Sequence, residues 1–216
     1  MAGALLDRLS PASASPPEVM SPRRFGIPTR AVLPRPLRRR VAAFDRRVDR
    51  GFDHLRGRPA ADRLFYVASE LGDFSLLWLL LGAERGVRSE AEADAAVRLV
   101  GCLAAESLLV NGLIKSVFAR TRPPWEQTRP HGLRRPRSSS FPSGHASAGF
   151  VAAALLSDRR RRPAAACYYG LAVLVASSRI HVKIHHPSDV VVGVALGAAI
   201  GAAAKRAWPL PAHIAG

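Results

Sequence analysis

The sequence predicts an all-α fold: an integral-membrane helical bundle of about five to six helices with an amphipathic N-terminal helix. Three observations predict it. The 216 residues are 48% hydrophobic yet carry a formal net charge of +16, from 32 Lys+Arg against 16 Asp+Glu. The charge and the apolar residues are segregated, because long apolar runs separated by short charged loops begin only after residue 60. The runs approach the length of about 20 residues that a bilayer crossing needs, and Phe65, Tyr66, Trp78 and Trp208 stand near their edges, where aromatic side chains anchor at an interface. A disordered basic tail is excluded, since it would be poor in apolar residues. Cys102 and Cys167 both sit in apolar runs and offer neither a disulfide framework nor zinc-ligand spacing.

Residues 1–60 form a basic N-terminal region, with thirteen Arg against five Asp/Glu. Residues 1–36 are rich in Pro, Ser and Arg without a sustained period, and are expected to be poorly ordered. The apolar stretch at 2–6 is too short for a signal peptide. Over 37–55, Val41, Phe44, Val48, Phe52 and Leu55 recur at three- and four-residue steps, with Arg38, Arg39, Arg46, Arg47 and Arg50 between them. Such a basic amphipathic helix suits an anionic membrane surface, or equally a solvated helix docked on its own domain.

A membrane domain is expected over 61–208, followed by a tail at 209–216. Five candidate spans cover 64–81, 95–118, 143–156, 163–178 and 188–204. The second carries Arg98, Glu106, Asn111 and Lys115, a set that belongs against a bundle interior or a cavity. The third and fifth are short and Ala-rich, a pattern that buried soluble helices share. Gly193, Gly197 and Gly201 in the fifth form a small-residue ridge that allows close helix approach.

Arg159, Arg160, Arg161 and Arg162 follow the third run, and Lys205 and Arg206 follow the fifth, so both loops should be cytoplasmic. The loops at 119–142 and 179–187 then share the extracytoplasmic side. Five spans also put the basic N-terminus on that side, against the same rule. Either the N-terminal helix does not act as a topogenic loop or one span is miscounted.

Three segments carry the chemistry, and this topology brings them together: 115–123, 140–145 and 178–189. Lys115, Arg122 and Arg179 are cations with several donors and no acceptor, a set matched to the oxygens of a phosphate. Ser143, Gly144 and His145 open a helix, where backbone N–H groups and the helix dipole favour an anion. His185 and Asp189 are four apart and share a helical face. A carboxylate on one ring nitrogen would leave the other free to attack phosphorus, while His145 would protonate the leaving oxygen. No Asp/Glu cluster offers itself to magnesium, so no metal and no cofactor is expected. An alternative is a metal held by His181, His185 and His186, which the neighbouring Arg179 and Lys183 oppose. Arg129, Arg134, Arg135 and Arg137 read as headgroup contacts or solubilising charge.

These segments resemble the tripartite signature of the type 2 phosphatidic acid phosphatase family, Lys-x6-Arg-Pro, Pro-Ser-Gly-His and Ser-Arg-x5-His-x3-Asp. The chain matches every position: Lys115, Arg122, Pro123; Pro142, Ser143, Gly144, His145; Ser178, Arg179, His185, Asp189. The likeness covers about residues 61–208. It implies a helical bundle and a phosphohistidine on His185, with His145 as acid and Asp189 as partner of His185. It also implies that Lys115, Arg122, Ser143, Gly144 and Arg179 bind the phosphate. Membrane members commonly have six spans, one more than counted here.

The Ala- and Arg-rich composition and the Leu71-Gly72-Asp73 segment are similar to small actinobacterial members. Some of those act on polyprenyl phosphates or phosphoribose-polyprenyl lipids, others on phosphatidic acid or phosphatidylglycerol phosphate. The expected protein is a multi-pass cell-membrane lipid phosphatase with an extracytoplasmic active site. Its partners are the bilayer and a lipid phosphate or diphosphate, with no nucleic acid, and oligomeric state is left open. The other classes are a vanadium-dependent haloperoxidase, which shares the pocket, and a non-enzymatic basic protein binding membrane or nucleic acid.

Overall fold

The computed structural model describes residues 27–124, 136, 138–158 and 162–210. Expectations for residues 1–26, for Arg129, Arg134, Arg135 and Arg137, for Arg159, Arg160 and Arg161, and for residues 211–216 lie outside the described residues. Helices dominate. The strands among the described residues are a two-residue parallel pair, β1 (Ile27–Pro28) against β2 (Phe118–Ala119). This pairing, the short helix α1 (Thr29–Val32) and the start of α2 (Arg35–Asp53) place most of residues 27–36 in regular structure. Backbone hydrogen bonds to a distant segment leave no periodicity for a sequence reading to detect.

The docked alternative for the basic helix is the observed one. Val48 and Phe52 of α2 pack against Ala146, Ala176, Ile180 and Val190. Just beyond the helix, Arg56 donates to the carbonyls of Ile180 (2.8 Å) and His181 (2.9 Å).

The first candidate span is broken. It consists of α3 (Pro59–Leu71) and α4 (Leu76–Gly86), bent by 67° across a single 3-10 turn, Asp73–Ser75. Phe74 and Ser75 adopt left-handed conformations, with φ of 53° and 59°. Two such residues end a right-handed helix and cost roughly 1–3 kcal/mol each, a strain typical of functional segments. Trp78 and Tyr66 are 1% and 6% exposed, so they are core residues rather than interfacial anchors.

The second span is α5 (Glu90–Ser107), continued by a π-helical stretch (Leu108–Ile114) and α6 (Lys115–Val117). Ser89 caps its start by accepting from Glu92 N at 3.2 Å, with Glu90 and Glu92 in the first turn. The wider turn re-aims the residues after it, and such turns are frequent at functional sites.

Three helices complete the bundle: α7 (Gly144–Leu156), α8 (Arg162–His181) and α9 (Pro187–Ala207). Almost every residue of α7 is buried, and at 13 residues it is roughly 20 Å long, short of a hydrocarbon core of about 30 Å. It is thus the helix that the others wrap. By length and composition, Glu92–Val117 and Pro187–Ala207 can each cross a bilayer, as can the bent pair taken together. The glycine ridge of α9 lies on α7: a Cβ at Gly193 would meet the Ser143 carbonyl at 2.5 Å, and one at Gly201 would meet Ala154 Cβ at 2.7 Å.

Among the described residues the chain passes five times between two ends, through α4, the α5–α6 stretch, α7, α8 and α9. The three signature segments meet at one end. The other end holds Arg85, bonded to the Leu156 carbonyl at 3.0 Å, and Arg98, bonded to Asp158 at 2.8 Å. Because α2 touches Ile180, His181 and Val190, the basic helix sits at the signature end.

Candidate active site

A cavity of about 580 Å³ opens at the signature end. Lys115, Arg122, Arg179, Gly144, His145 and His185 line its inner part, and Leu79, Val100, Leu103, Ala104 and Ala148 extend its wall down α4, α5 and α7. Sequence reading anticipated the first set and had no means to find the second, whose members share no motif.

Each cation is held by hydrogen bonds from its charged group. Lys115, just after the π-helical stretch, donates Nζ to Asn111 Oδ1 at 2.7 Å. Arg122 is 5% exposed and donates to the carbonyls of Pro136 (3.1 Å), Ile184 (2.9 Å) and Ser139 (3.1 Å). Arg179, near the end of α8, is 2% exposed and hydrogen-bonds Ser69 of α3. The three therefore come from α6, the loop after β2, and α8. A Cβ at Gly144 would lie 2.5 Å from Asn111 Oδ1, so a side chain there would displace the amide that holds Lys115. Ser143 is fully buried as the cap of α7, its Oγ accepting from Ala146 N at 3.4 Å, so the cavity wall at this point is Gly144 and His145.

His185 lies in the loop between α8 and α9. Its Nδ1 stands 2.6 Å from the Ser140 carbonyl, which can only accept, so the proton is on Nδ1 and Nε2 carries the lone pair. Arg122 Nη1 is 3.3 Å from that Nε2. Burial first, then the guanidinium groups of Arg122 and Arg179, hold the imidazole well below its ordinary pKa, so the ring is neutral at pH 7. The expected direct bond to Asp189 is replaced. Asp189 Oδ2 lies 3.7 Å from His185 Nδ1, and accepts instead from His186 N at 2.9 Å as part of the helix cap of α9. Four residues span one turn only within a helix, and His185 precedes α9, in whose first turn Asp189 lies.

His145 Nε2 faces Asp73 Oδ1 at 2.9 Å across the cavity. Asp73 belongs to the strained turn before α4, and sequence reading assigned it no role. Arg120 is the other residue missed. It donates to Asp189 Oδ1 at 2.5 Å and to Asp45 of α2 at 2.7 Å, and its place inside the Lys115–Pro123 segment was the available signal. The three histidines proposed as a metal alternative reach separate partners: His181 meets Asp62 (2.8 Å), His185 the Ser140 carbonyl, and His186 the Thr121 carbonyl (3.1 Å).

Comparison with known proteins identifies the family. The family model described as the PAP2 superfamily matches residues 95–210, more than half of the chain. A decaprenylphosphoryl-5-phosphoribose phosphatase of Mycobacterium tuberculosis is 36% identical over 137 residues, covering 62% of this chain and 73% of the relative. A protein of the same name from Mycolicibacterium smegmatis is 32% identical over 140 residues, covering 64% and 74%. The crystal structure of Aquifex aeolicus LpxE superposes with a TM-score of 0.60 at 25% identity, over 74% of this chain and 93% of that one. A transmembrane PAP2-type phosphatidylglycerolphosphate phosphatase from Bacillus subtilis has the same fold, with a TM-score of 0.60 at 21% identity over 82% and 88% of the two chains. With residues from all three signature segments lining one cavity and more than half its length matched by the family model, this chain is a membrane-embedded phosphatase belonging to the PAP2 superfamily.

Proposed function

We propose that the protein removes phosphate from a lipid-linked phosphate monoester through a phosphohistidine on His185, and that the lipid is a polyprenyl-linked phosphosugar. One observation carries the reading: a single cavity joins a cationic, histidine-bearing end to an apolar wall between α4, α5 and α7. The cationic end fits a phosphate, and the apolar wall fits the tail to which it is attached. The named activity of the mycobacterial relatives supports the phosphosugar headgroup.

In this scheme His185 Nε2 attacks phosphorus in line with the ester oxygen. The P–O bond to the headgroup breaks, and His145 gives the leaving oxygen its proton. Lys115, Arg122 and Arg179 stabilise charge on the equatorial oxygens, and the backbone N–H groups at Gly144 and the start of α7 add the helix dipole. Water then attacks the phosphohistidine, His145 takes the water's proton, and inorganic phosphate leaves with His185 restored. The role proposed for Asp189 is electrostatic: a carboxylate near Nδ1 favours the ring as it gains positive charge.

Release of inorganic phosphate by the purified, detergent-solubilised protein tests the reading. A polyprenylphosphoryl phosphopentose should give the highest kcat/KM in a panel with phosphatidic acid and phosphatidylglycerol phosphate, with or without EDTA. A glycerolipid preference would overturn the headgroup assignment, and no release from any of them would overturn the phosphatase scheme. We further propose that the cavity faces the extracytoplasmic side of the cell membrane, because Arg162, Lys205 and Arg206 lie at the other end. The arginines of α2 at the cavity end belong to a helix docked on the bundle, which does not act as a topogenic loop. A membrane-impermeant thiol reagent should then label Arg47→Cys on intact cells; labelling only after permeabilisation would reverse the orientation.

A further inference from the structure

We propose that Asp45, on the N-terminal helix and outside the segment matched by the family model, is a positioning residue for His185 and Asp189, acting through Arg120. The inference rests on His185 being the nucleophile.

Asp45 lies on the stripe of α2 that also carries Val41, Val48 and Phe52, where an apolar residue would be expected. It is 7% exposed, and both its oxygens are bonded. Oδ1 accepts from Ser188 N at 2.8 Å, and Oδ2 accepts from Ser188 Oγ at 2.9 Å and from Arg120 Nη2 at 2.7 Å. The same guanidinium sends Nη1 to Asp189 Oδ1 at 2.5 Å and to Ser188 Oγ at 2.8 Å. Asp189, fully buried, holds its other oxygen 3.7 Å from His185 Nδ1. A chain of charged groups thus runs from α2 to within 3.7 Å of the ring.

The signs of the charges say what the chain does. Arg120 with Asp189 alone forms a neutral pair, which offers His185 little when phosphorylation at Nε2 leaves the ring positive. Asp45 adds a second carboxylate to the same guanidinium, so the trio carries one net negative charge beside Nδ1. In a buried site that potential is weakly screened. Asp45 also holds Arg120 back from the cavity, where three cations already converge. Docking of α2 does not explain the arrangement, because Val48, Phe52 and Arg56 attach the helix independently, and a buried ion pair adds little stability over an apolar contact.

The test is made in the full-length protein with the lipid phosphate that the wild type hydrolyses. Asp45→Asn keeps an oxygen for Ser188 N and removes the charge. It should lower kcat per folded molecule and the rate of phosphoenzyme formation about 10-fold, the scale of a lost orienting contact, with KM unchanged, while the melting temperature falls because the buried pair with Arg120 is broken. Asp45→Glu should regain part of that kcat. Phe52→Ala is the control for docking, and should lower the melting temperature while kcat per folded molecule stays at the wild-type value. Wild-type kcat in Asp45→Asn overturns the proposal, and so does an equal loss of kcat in Phe52→Ala, which would make docking the cause. A wild type that hydrolyses no lipid phosphate is a separate outcome, overturning the catalytic scheme on which this inference rests.

Discussion

The two ends of the bundle both bury arginines, and they use them differently. At the end away from the cavity, Arg85 meets Glu92 at 2.5 Å and the Leu156 carbonyl at 3.0 Å. Arg98 meets Asp158 at 2.8 Å and the Trp208 carbonyl at 3.1 Å. Each guanidinium there is matched to a carboxylate from a neighbouring helix or loop, so these residues tie α4, α5, α7 and α9 together. At the other end Lys115, Arg122 and Arg179 arrive from three separate segments and line one cavity. Buried charge is costly wherever it occurs. Cations that point at a carboxylate serve the fold, and cations that point together at a shared space serve an anion that comes and goes.

The largest effect should come from His185→Ala, which lowers phosphate release at least about 1,000-fold while the helical circular dichroism of the protein persists. Activity near wild type would remove the site from this end of the molecule. Arg179→Gln should lower kcat/KM by about 100- to 1,000-fold with the melting temperature nearly kept. Arg98→Met is the mirror experiment: it strands Asp158 and should cost about 3 kcal/mol of stability, visible as a lower melting temperature, with kcat per folded molecule intact. If Arg98→Met instead lowered kcat without loss of stability, the division between the ends would fail. Gly197→Ala forces a Cβ against the Ser147 carbonyl and Phe150, and should cost roughly 1–3 kcal/mol on thermal unfolding.

The smallest effect concerns pH. The nucleophile proposed is a neutral imidazole, and burial with Arg122 and Arg179 lowers the pKa of His185. Protonation of this ring should therefore cost activity only below its ordinary value of about 6.5. An acid limb of kcat/KM centred at or above that value, with the His185 ring titrating at the same pH by NMR, would contradict the described environment.

Much of the site was legible because its residues sit in short runs with fixed spacing. Lys115 and Arg122, Gly144 and His145, and Arg179 and His185 can be read without knowing how the chain turns. The glycine ridge was legible too, since a repeat of four on a helix leaves one stripe whatever it packs against. The strained turn at Phe74 and Ser75 was hidden, because 64–81 reads as one apolar run and neither residue is a helix breaker by type. Trp78 was misassigned for the same reason: an aromatic near the edge of a run marks an interface only if the run is a straight span. Asp45 stood out as an acid on an apolar stripe, but its meaning required knowing that Arg120 and Ser188 lie beneath it.

The sequence by itself determined the membrane-helical class, the phosphate-binding chemistry and the end of the bundle where that chemistry gathers. These depend on local order: the length of apolar runs, and motif residues a few positions apart. The tertiary structure alone decided how the basic N-terminal helix is used, which group holds His185, and where the cavity continues. Those depend on residues separated by up to about 140 positions, such as Asp45 and Ser188. Only packing brings them within hydrogen-bond reach, and in the absence of that packing their charges read as surface.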